Sequence, residues 1–195
     1  MDDDKATLRK QLRRIEALDR WVRRLRRTVP LADAIRAVDE RRREANNADK
    51  RTLTLELHYL LIEAGRELEA DRIIDEMLVC LPDDVLLAIS KATLHLYFMH
   101  DPEGALEAIN VALARAHRTG FLRRDALGVK ARILLKLGFG DQLSCTLEEI
   151  MSLEMKQGIP DCGRERDFVD RAPAGMIEED VLARYNAFCP KRDAE

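Results

Sequence analysis

The sequence predicts an all-α protein built from antiparallel helix hairpins. Its 195 residues are 46% hydrophobic and 35% charged but only 5% aromatic, a composition typical of helical proteins. A small or apolar residue also returns within the helical pattern at intervals of 36, 35 and 38 residues, at Ala34, Ala70, Ala105 and Leu143. A period in this range is typical of stacked helical hairpins, which form binding surfaces rather than catalytic pockets.

The first predicted hairpin joins a basic helix, residues 5–27, to a second helix, residues 31–45. The first helix has an apolar stripe at three- and four-residue steps, formed by Leu8, Leu12, Ile15, Leu18, Val22 and Leu25. It ends at Val29-Pro30, because a residue before proline disfavours the helical conformation. The second half of the second helix, Asp39 to Glu44, is entirely charged. We expect this half to leave the hairpin's apolar face partly uncovered. Self-association would cover that face, so we hypothesise a homodimer through the N-terminal hairpin.

Three further hairpins follow, and turn residues separate their helices. The predicted helices span residues 53–64, 67–81, 85–98, 103–117, 124–137 and 141–154. Gly65 marks the end of the first of these helices. The aspartates after Pro82 can cap the helix that starts at residue 85. Pro102 suits the first position of the next helix, because a proline there sacrifices no hydrogen bond.

The helical pattern fails between Gly158 and Gly175, where glycine, proline and charged residues are dense. A last helix, residues 177–188, is predicted to cap the stack, because the end of a stack must cover its last apolar face. The sequence therefore divides into three parts by its character: a basic helix pair (1–50), three hairpins (51–156) and an irregular segment with a capping helix (157–195).

These hairpins resemble tetratricopeptide repeats, most clearly over residues 53–82. The residues that carry the resemblance there are Leu57, Leu61, Gly65, Ala70, Ile74, Met77, Leu78 and Pro82. The later copies depart from it at His100, in place of the turn glycine, and at Leu143, in place of the close-contact alanine. In the opening copy, Arg41 and Arg42 occupy apolar positions. The resemblance covers about residues 15–154 and implies a short right-handed solenoid of hairpins with a C-terminal capping helix.

In this family the first helix of each hairpin lines a concave groove, which holds an extended peptide or a helix of a partner protein. Carried onto this chain residue by residue, the resemblance implies a groove lined by Arg20, Arg23, Arg27, Tyr59, Ile62, Glu63, Leu94, Tyr97, Phe98, Arg132, Leu135 and Lys136. Its apolar centre and basic ends suit an acidic segment of another protein. The alternative is that Tyr59, Tyr97 and Phe98 pack against the C-terminal part of this chain.

The resemblance implies a non-enzymatic adaptor or scaffold, with a bacterial secretion-type chaperone as an alternative. Arginine outnumbers lysine 25 to 8, which indicates a GC-rich bacterial genome. Residues 5–27 contain ten Lys and Arg and two acids, so a nucleic-acid-associated regulator is an alternative of another class. The net charge of the whole chain is −3 and no aromatic stacking platform interleaves the arginines, so we do not expect nucleic acid as the partner.

Residues that could carry catalysis or hold a cofactor or metal are sparse, and we expect none of these. His58, His95, His100 and His117 are the only histidines. His95 and His100 are five residues apart, which does not place two ligands on one face of a helix. No glycine-rich phosphate loop or nucleophile elbow is present in the sequence.

The cysteines and the chain's start favour a cytoplasmic protein. Cys80, Cys145, Cys162 and Cys189 form no CxxC pair, so we expect four reduced thiols, with a Cys162–Cys189 disulfide as the alternative. The acidic opening Met1–Lys5 is not followed by the apolar stretch of a secretory signal. No apolar run approaches the about 20 residues that a membrane helix requires.

Overall fold

The structure is a computed structural model that describes residues 2–119, 122–157 and 163–190. Over these residues it contains ten α-helices and no strand, which confirms the predicted all-α class. The chain divides into two compact units, Met1–Pro82 and Asp83–Glu195, at the end of the second predicted hairpin. The predicted three-part division at residues 50 and 156 follows the character of the sequence rather than compactness, and it stays a prediction.

The first unit contains the helices α1 (Asp2–Thr28), α2 (Leu31–Glu44), α3 (Asn47–Glu63) and α4 (Glu67–Cys80). Each helix packs on the next, and α1 also contacts α3. Asn46 caps α3 with its side chain. At the other end of α3, Gly65 has φ +68°, and the N–H groups of Gly65 and Arg66 donate to the carbonyls of Ile62 and Leu61. This local bonding ends α3 where the sequence predicts.

The core of the first unit lies between α2, α3, α4 and the second half of α1. Its buried apolar residues are Leu18, Val22, Ala34, Ile35, Val38, Leu53, Leu57, Leu60, Leu61, Ala70, Ile73, Ile74 and Met77. The predicted stripe of α1 is only partly buried, because Leu12 and Ile15 are 50% and 42% exposed. Only two residues separate the 27-residue α1 from the 14-residue α2, so α2 can lie along only the second half of α1.

Ionic contacts, rather than apolar ones, close the charged half of α2 onto its neighbours. The guanidinium of Arg41 stacks over the ring of Trp21, 4.4 Å from its centroid. Arg42 is buried, donates to Asp39 at 3.0 Å and lies 3.5 Å from Glu76. Arg41 and Arg42, where the resemblance expects apolar residues, therefore have structural contacts.

The second unit contains α5 (Val85–Tyr97), α6 (Pro102–Thr119), α7 (Arg123–Leu137), α8 (Gly140–Gln157), α9 (Gly163–Val169) and α10 (Glu179–Phe188). The helices α5 to α8 pack in chain order, α5 also contacts α7, α9 lies on α7, and α10 lies on α8. Asp84 caps α5 by accepting from the N–H groups of Leu86 and Leu87, at 3.0 and 3.1 Å, which confirms the predicted cap. Pro102 is the first residue of α6, also as predicted.

The predicted last helix forms, and a short helix precedes it where none was predicted. The last helix is α10, which covers α8 with the buried side chains of Val181 and Tyr185. The N–H of Glu178 donates to Ser144 Oγ at 3.0 Å and fixes the start of α10 on α8. The unpredicted helix is α9, which lies in the segment that the sequence presents as irregular.

The cysteines differ from the sequence expectation at one position. Cys189 is disulfide-bonded, so the expectation of four reduced thiols is wrong for this residue. Cys162, its partner in the alternative pairing, lies outside the described residues. Cys80 and Cys145 are free and exposed. In the part of the chain that the structure describes, no helix combines the length and the apolar character needed to span a membrane.

Candidate functional site

Four of the six groove residues predicted in the second unit line one cavity. This cavity has a volume of about 360 Å³ and lies between α5, α7 and α9. The predicted residues in its lining are Tyr97, Arg132, Leu135 and Lys136. The other lining residues are Leu96, Asp167, Phe168 and Arg171. We refer to it as the α5–α7–α9 cavity.

The α5–α7–α9 cavity combines an apolar wall with a cationic rim. Tyr97, Leu135 and Phe168 form the apolar wall, and Tyr97 is 48% exposed. The guanidinium of Arg132 lies 5.4 Å from the centroid of the Phe168 ring, so an aromatic face positions a cation at the wall. Lys136 Nζ donates to the carbonyl of Leu96 at 3.2 Å, which holds a second cation at the edge.

The rim of the cavity carries more positive than negative charge. Its charged residues are Arg132, Lys136 and Arg171 against Asp167. Arg171 Nε donates to the backbone carbonyl of Asp167 at 2.6 Å. This hydrogen bond therefore does not involve the carboxylate of Asp167. An apolar cavity with an excess of cations suits an apolar side chain that lies next to a carboxylate.

A buried ionic cluster holds α9 on α7 beside the cavity. Arg124 on α7 donates to Glu154 on α8 at 2.7 Å and to Glu165 on α9 at 2.8 Å. Glu154 and Glu165 are only 2% and 1% exposed. Burial alone would lower the pKa of Arg124, but the hydrogen bonds and the charges of the two glutamates outweigh it, so this pKa is raised. Arg124 is therefore a fixed cation that joins three helices.

Gly128, one turn after Arg124, leaves room for that cluster. A Cβ atom at this position would lie 2.9 Å from Glu165 Oε1 and 3.1 Å from Arg124 Nη1. Glycine within a helix is less stable than alanine by about 1 kcal/mol, so this position favours close approach over helix propensity. The α9 helix thus covers the face of α7 at Arg124 and Gly128 and leaves the next turns, at Arg132 and Lys136, to the cavity.

Leu94 and Phe98, the other two groove residues predicted in the second unit, do not line the cavity. Leu94 is fully buried, so the expectation that it offers a surface to a partner is wrong. The reason is that α5 is buried on more than one face, with Val85, Leu87, Ala88, Ile89, Ser90, Ala92 and Leu96 also buried. Phe98 caps α5 and is 46% exposed.

In the first unit, three of the predicted groove residues lie on α1 and three on α3. Arg20 and Arg27 are exposed, whereas Arg23 donates to Asp19 at 2.8 and 2.6 Å. Tyr59 is 58% exposed and Ile62 is half-buried.

The carboxylates of α3 face the arginines of α1. Glu63, the last of the predicted residues, pairs with Arg26 at 2.5 Å. Burial raises the pKa of Glu56, and the nearby charge of Asp19 raises it further. Part of the predicted basic end of the groove is therefore neutralised by the chain's own acids.

The first unit also has a cavity of about 340 Å³, whose lining comes from α2, α3 and α4. Its charged residues pair largely with one another. Arg42 pairs with Asp39, and Arg66 Nε donates to Glu69 at 2.6 Å. This internal pairing makes the cavity a weaker candidate than the α5–α7–α9 cavity.

The described residues contain no group of three or more His, Cys, Asp or Glu side chains that could hold a metal ion. His95 Nδ1 lies 2.9 Å from Asp101 Oδ2, and the N–H of Gly104 donates to the other oxygen of the same carboxylate at 3.0 Å. These bonds lower the pKa of Asp101, and the bond from the N–H of Gly104 has the largest effect. The pair fixes the turn before α6. The side chain of His117 lies outside the described part.

Sequence reasoning missed the cavity residues on α9 and just after it, Asp167, Phe168 and Arg171. A signal is present, because the buried residues Glu165, Phe168 and Val169 follow the three- and four-residue steps of a helix face. One member of this face is a glutamate, which hides the pattern from a search for apolar residues. No protein-family model, no curated protein and no solved structure matches this chain.

Proposed function

We propose that this chain is a non-enzymatic protein-interaction module whose helix hairpins form a short repeat of the tetratricopeptide type. The period of about 35 residues supports this arrangement. The contacts of α1 with α3 and of α5 with α7 also support it, because the first helices of successive hairpins touch in stacked repeats.

The α5–α7–α9 cavity carries the proposal for the second unit. It receives one large apolar side chain of a partner segment against Tyr97, Leu135 and Phe168. A neighbouring carboxylate of the same segment then reaches the cationic rim, where Lys136 is exposed. The observation that supports this function most strongly is the meeting of aromatic and cationic side chains in one open cavity, the usual composition of an interface hot spot.

Selection of peptides tests this proposal without a known partner. The full-length protein is immobilised, random short peptides displayed on phage are selected on it, and their affinities are measured by fluorescence anisotropy. We expect the selected peptides to pair a bulky apolar residue with Asp or Glu. Tyr97→Ala combined with Lys136→Glu should weaken their binding about tenfold or more.

A matched control makes the same chemical changes elsewhere in the second unit. Phe139→Ala combined with Lys156→Glu also removes an exposed aromatic ring and reverses one exposed charge. This control should bind like the wild type, and circular dichroism should show that both variants are folded. Equal losses in the two variants, or selected peptides without acidic residues, would contradict the assignment of the cavity.

A second proposal concerns self-association through the N-terminal hairpin. It is supported by the exposed apolar residues Leu12 and Ile15 on α1, which a second copy could cover. Light scattering should then detect a dimer, and Leu12→Lys combined with Ile15→Lys should give a monomer. A wild-type protein that stays monomeric at every accessible concentration would exclude this dimer.

A further inference from the structure

The outward face of α1 carries a regular stripe of charge. Arginines occur at positions 9, 13, 20, 24 and 27, and Glu16 fills the one gap between them, so the steps along the helix are 4, 3, 4, 4 and 3. At 100° per residue, these six positions fall within an arc of about 80° and extend over about 27 Å. The stripe runs parallel to the helix axis because the mean step is that of a straight helix.

The five arginines of this stripe are all exposed, and no ion pair joins any of them to another residue in the described part of the chain. The other arginines of the helix differ. Arg14 pairs with Asp49, Arg23 with Asp19 and Arg26 with Glu63. The same helix therefore has one set of exposed arginines that pair with the chain's own acids and an outer set, at positions 9, 13, 20, 24 and 27, that it leaves to solvent.

Like charges within the outer set repel one another in the free protein. Arg9 and Arg13 are four residues apart, as are Arg20 and Arg24, and like charges at this spacing on a helix repel. A ligand with complementary charge would remove this repulsion on binding. We propose that the α1 stripe binds an acidic helix of a partner protein, whose carboxylates recur at matching three- and four-residue steps.

The charges around the stripe favour a narrow acidic helix over a nucleic acid. Glu16 interrupts the stripe, and Asp19, Glu56 and Glu63 lie on its flank towards α3. A duplex is wide and negative along its whole length, so it would bring phosphates against these carboxylates. A helix can confine its acids to one line and place a neutral or basic residue opposite Glu16, which also gives specificity.

Two synthetic helical peptides of identical composition test the proposal with the full-length protein. In the first, glutamates follow the steps of the stripe, with a lysine opposite Glu16; in the second, the same residues are scrambled. Fluorescence anisotropy at about 50 mM salt should show the patterned peptide binding about tenfold more tightly than the scrambled one. A short DNA duplex is the third probe and should bind more weakly than the patterned peptide.

Charge-matched variants assign the binding to the outer set. Arg20→Gln combined with Arg24→Gln should weaken binding of the patterned peptide about tenfold, whereas Arg23→Gln combined with Arg26→Gln should change it less than about threefold. Equal affinity for the two peptides, tighter binding of the duplex, equal loss in both variants or no binding at low salt would each overturn the proposal. Because the α5–α7–α9 cavity is unchanged in these variants, such a result leaves the proposed function of the cavity standing.

Discussion

Arg20 and Arg24 of α1, in the first unit, and Arg124 of α7, in the second unit, have opposite roles. On α1, Arg20 and Arg24 are exposed and no residue described in the structure pairs with them. On α7, Arg124 lies between Glu154 and Glu165, two carboxylates that are almost fully buried. A charge taken out of water must be paired, whereas a charge at the surface need not be. Burial of its two partners, rather than residue type, therefore fixes Arg124 in the fold, whereas Arg20 and Arg24 stay open to a partner.

The largest expected effect is the loss of the cation that lies between two buried glutamates. Arg124→Ala leaves Glu154 and Glu165 buried with no cation between them, so we expect the free energy of unfolding to fall by about 3–5 kcal/mol. Urea unfolding followed by far-ultraviolet circular dichroism measures this change.

The neighbouring Arg123 provides the matched control. It pairs with Glu149 in a partly exposed position, so Arg123→Ala should cost only about 0–1 kcal/mol. Similar losses for the two adjacent arginines would show that burial does not distinguish them, and the contrast between α1 and α7 would lose its physical basis.

The second effect concerns Gly128 and tests how closely the ionic cluster of Arg124 is packed. Gly128→Ala adds helix propensity but places a methyl group 2.9 Å from Glu165 Oε1, so we expect a net destabilisation of about 1–3 kcal/mol. In a Glu165→Ala background, where the obstructing carboxylate is absent, the same substitution should instead stabilise the protein by about 1 kcal/mol. A double-mutant cycle from urea unfolding measures the coupling, and additive effects would separate Gly128 from the cluster.

Most of the fold follows from local signals in the sequence. Gly65, Asp84 and Pro102 stand at helix ends for reasons contained in a few neighbouring residues, and the structure has those ends where the sequence predicts them. The helix α9 is harder to predict, because one of the three residues on its buried face is Glu165. That glutamate pairs with Arg124, which is 41 residues away, and no periodic pattern reports a pair of that kind.

The candidate site is predictable to a similar extent. The resemblance to a repeat family implies Arg132 and Lys136 from their positions on one helix alone, α7. Phe168 was missed because its position depends on how α9 docks. Leu94 was misassigned because periodicity cannot tell a helix that is buried on one face from one that is buried on several.

A third effect concerns the buried side chain of His58 in the first unit. Burial lowers the pKa of His58, although the carbonyl of Ala70 and the charge of Asp71 act in the opposite direction. Below the unfolded-state pKa of about 6.5, the unfolded chain binds more protons than the folded one, so this contribution to stability is complete above that pH and is lost as the pH falls. His58→Gln should therefore reduce the loss of stability between about pH 7 and about pH 5.

Trp21 fluorescence measures this effect, because Trp21 is the only tryptophan and lies in the first unit. Unfolding in urea is compared at the two pH values for the wild type and for His58→Gln. His100 is exposed, so His100→Gln is the control and should retain the wild-type dependence on pH. If the difference between wild type and His58→Gln does not change with pH, the buried histidine does not contribute to it.

The smallest effect is expected at the exposed ion pairs. These pairs test whether Arg124 differs from the exposed arginines because of burial or because it lies in the second unit. Arg14 pairs with Asp49 in the first unit and Arg184 with Glu148 in the second, and both arginine side chains are more than half exposed. Arg14→Gln and Arg184→Gln should each change the free energy of unfolding by less than about 1 kcal/mol, and about 1 M salt should abolish the change. Urea unfolding at low and high salt measures both. A loss of several kcal/mol at Arg184 alone would show that the second unit relies on its ion pairs whether they are buried or exposed. Equal and small losses at both positions would leave desolvation as the reason why Arg124 is different.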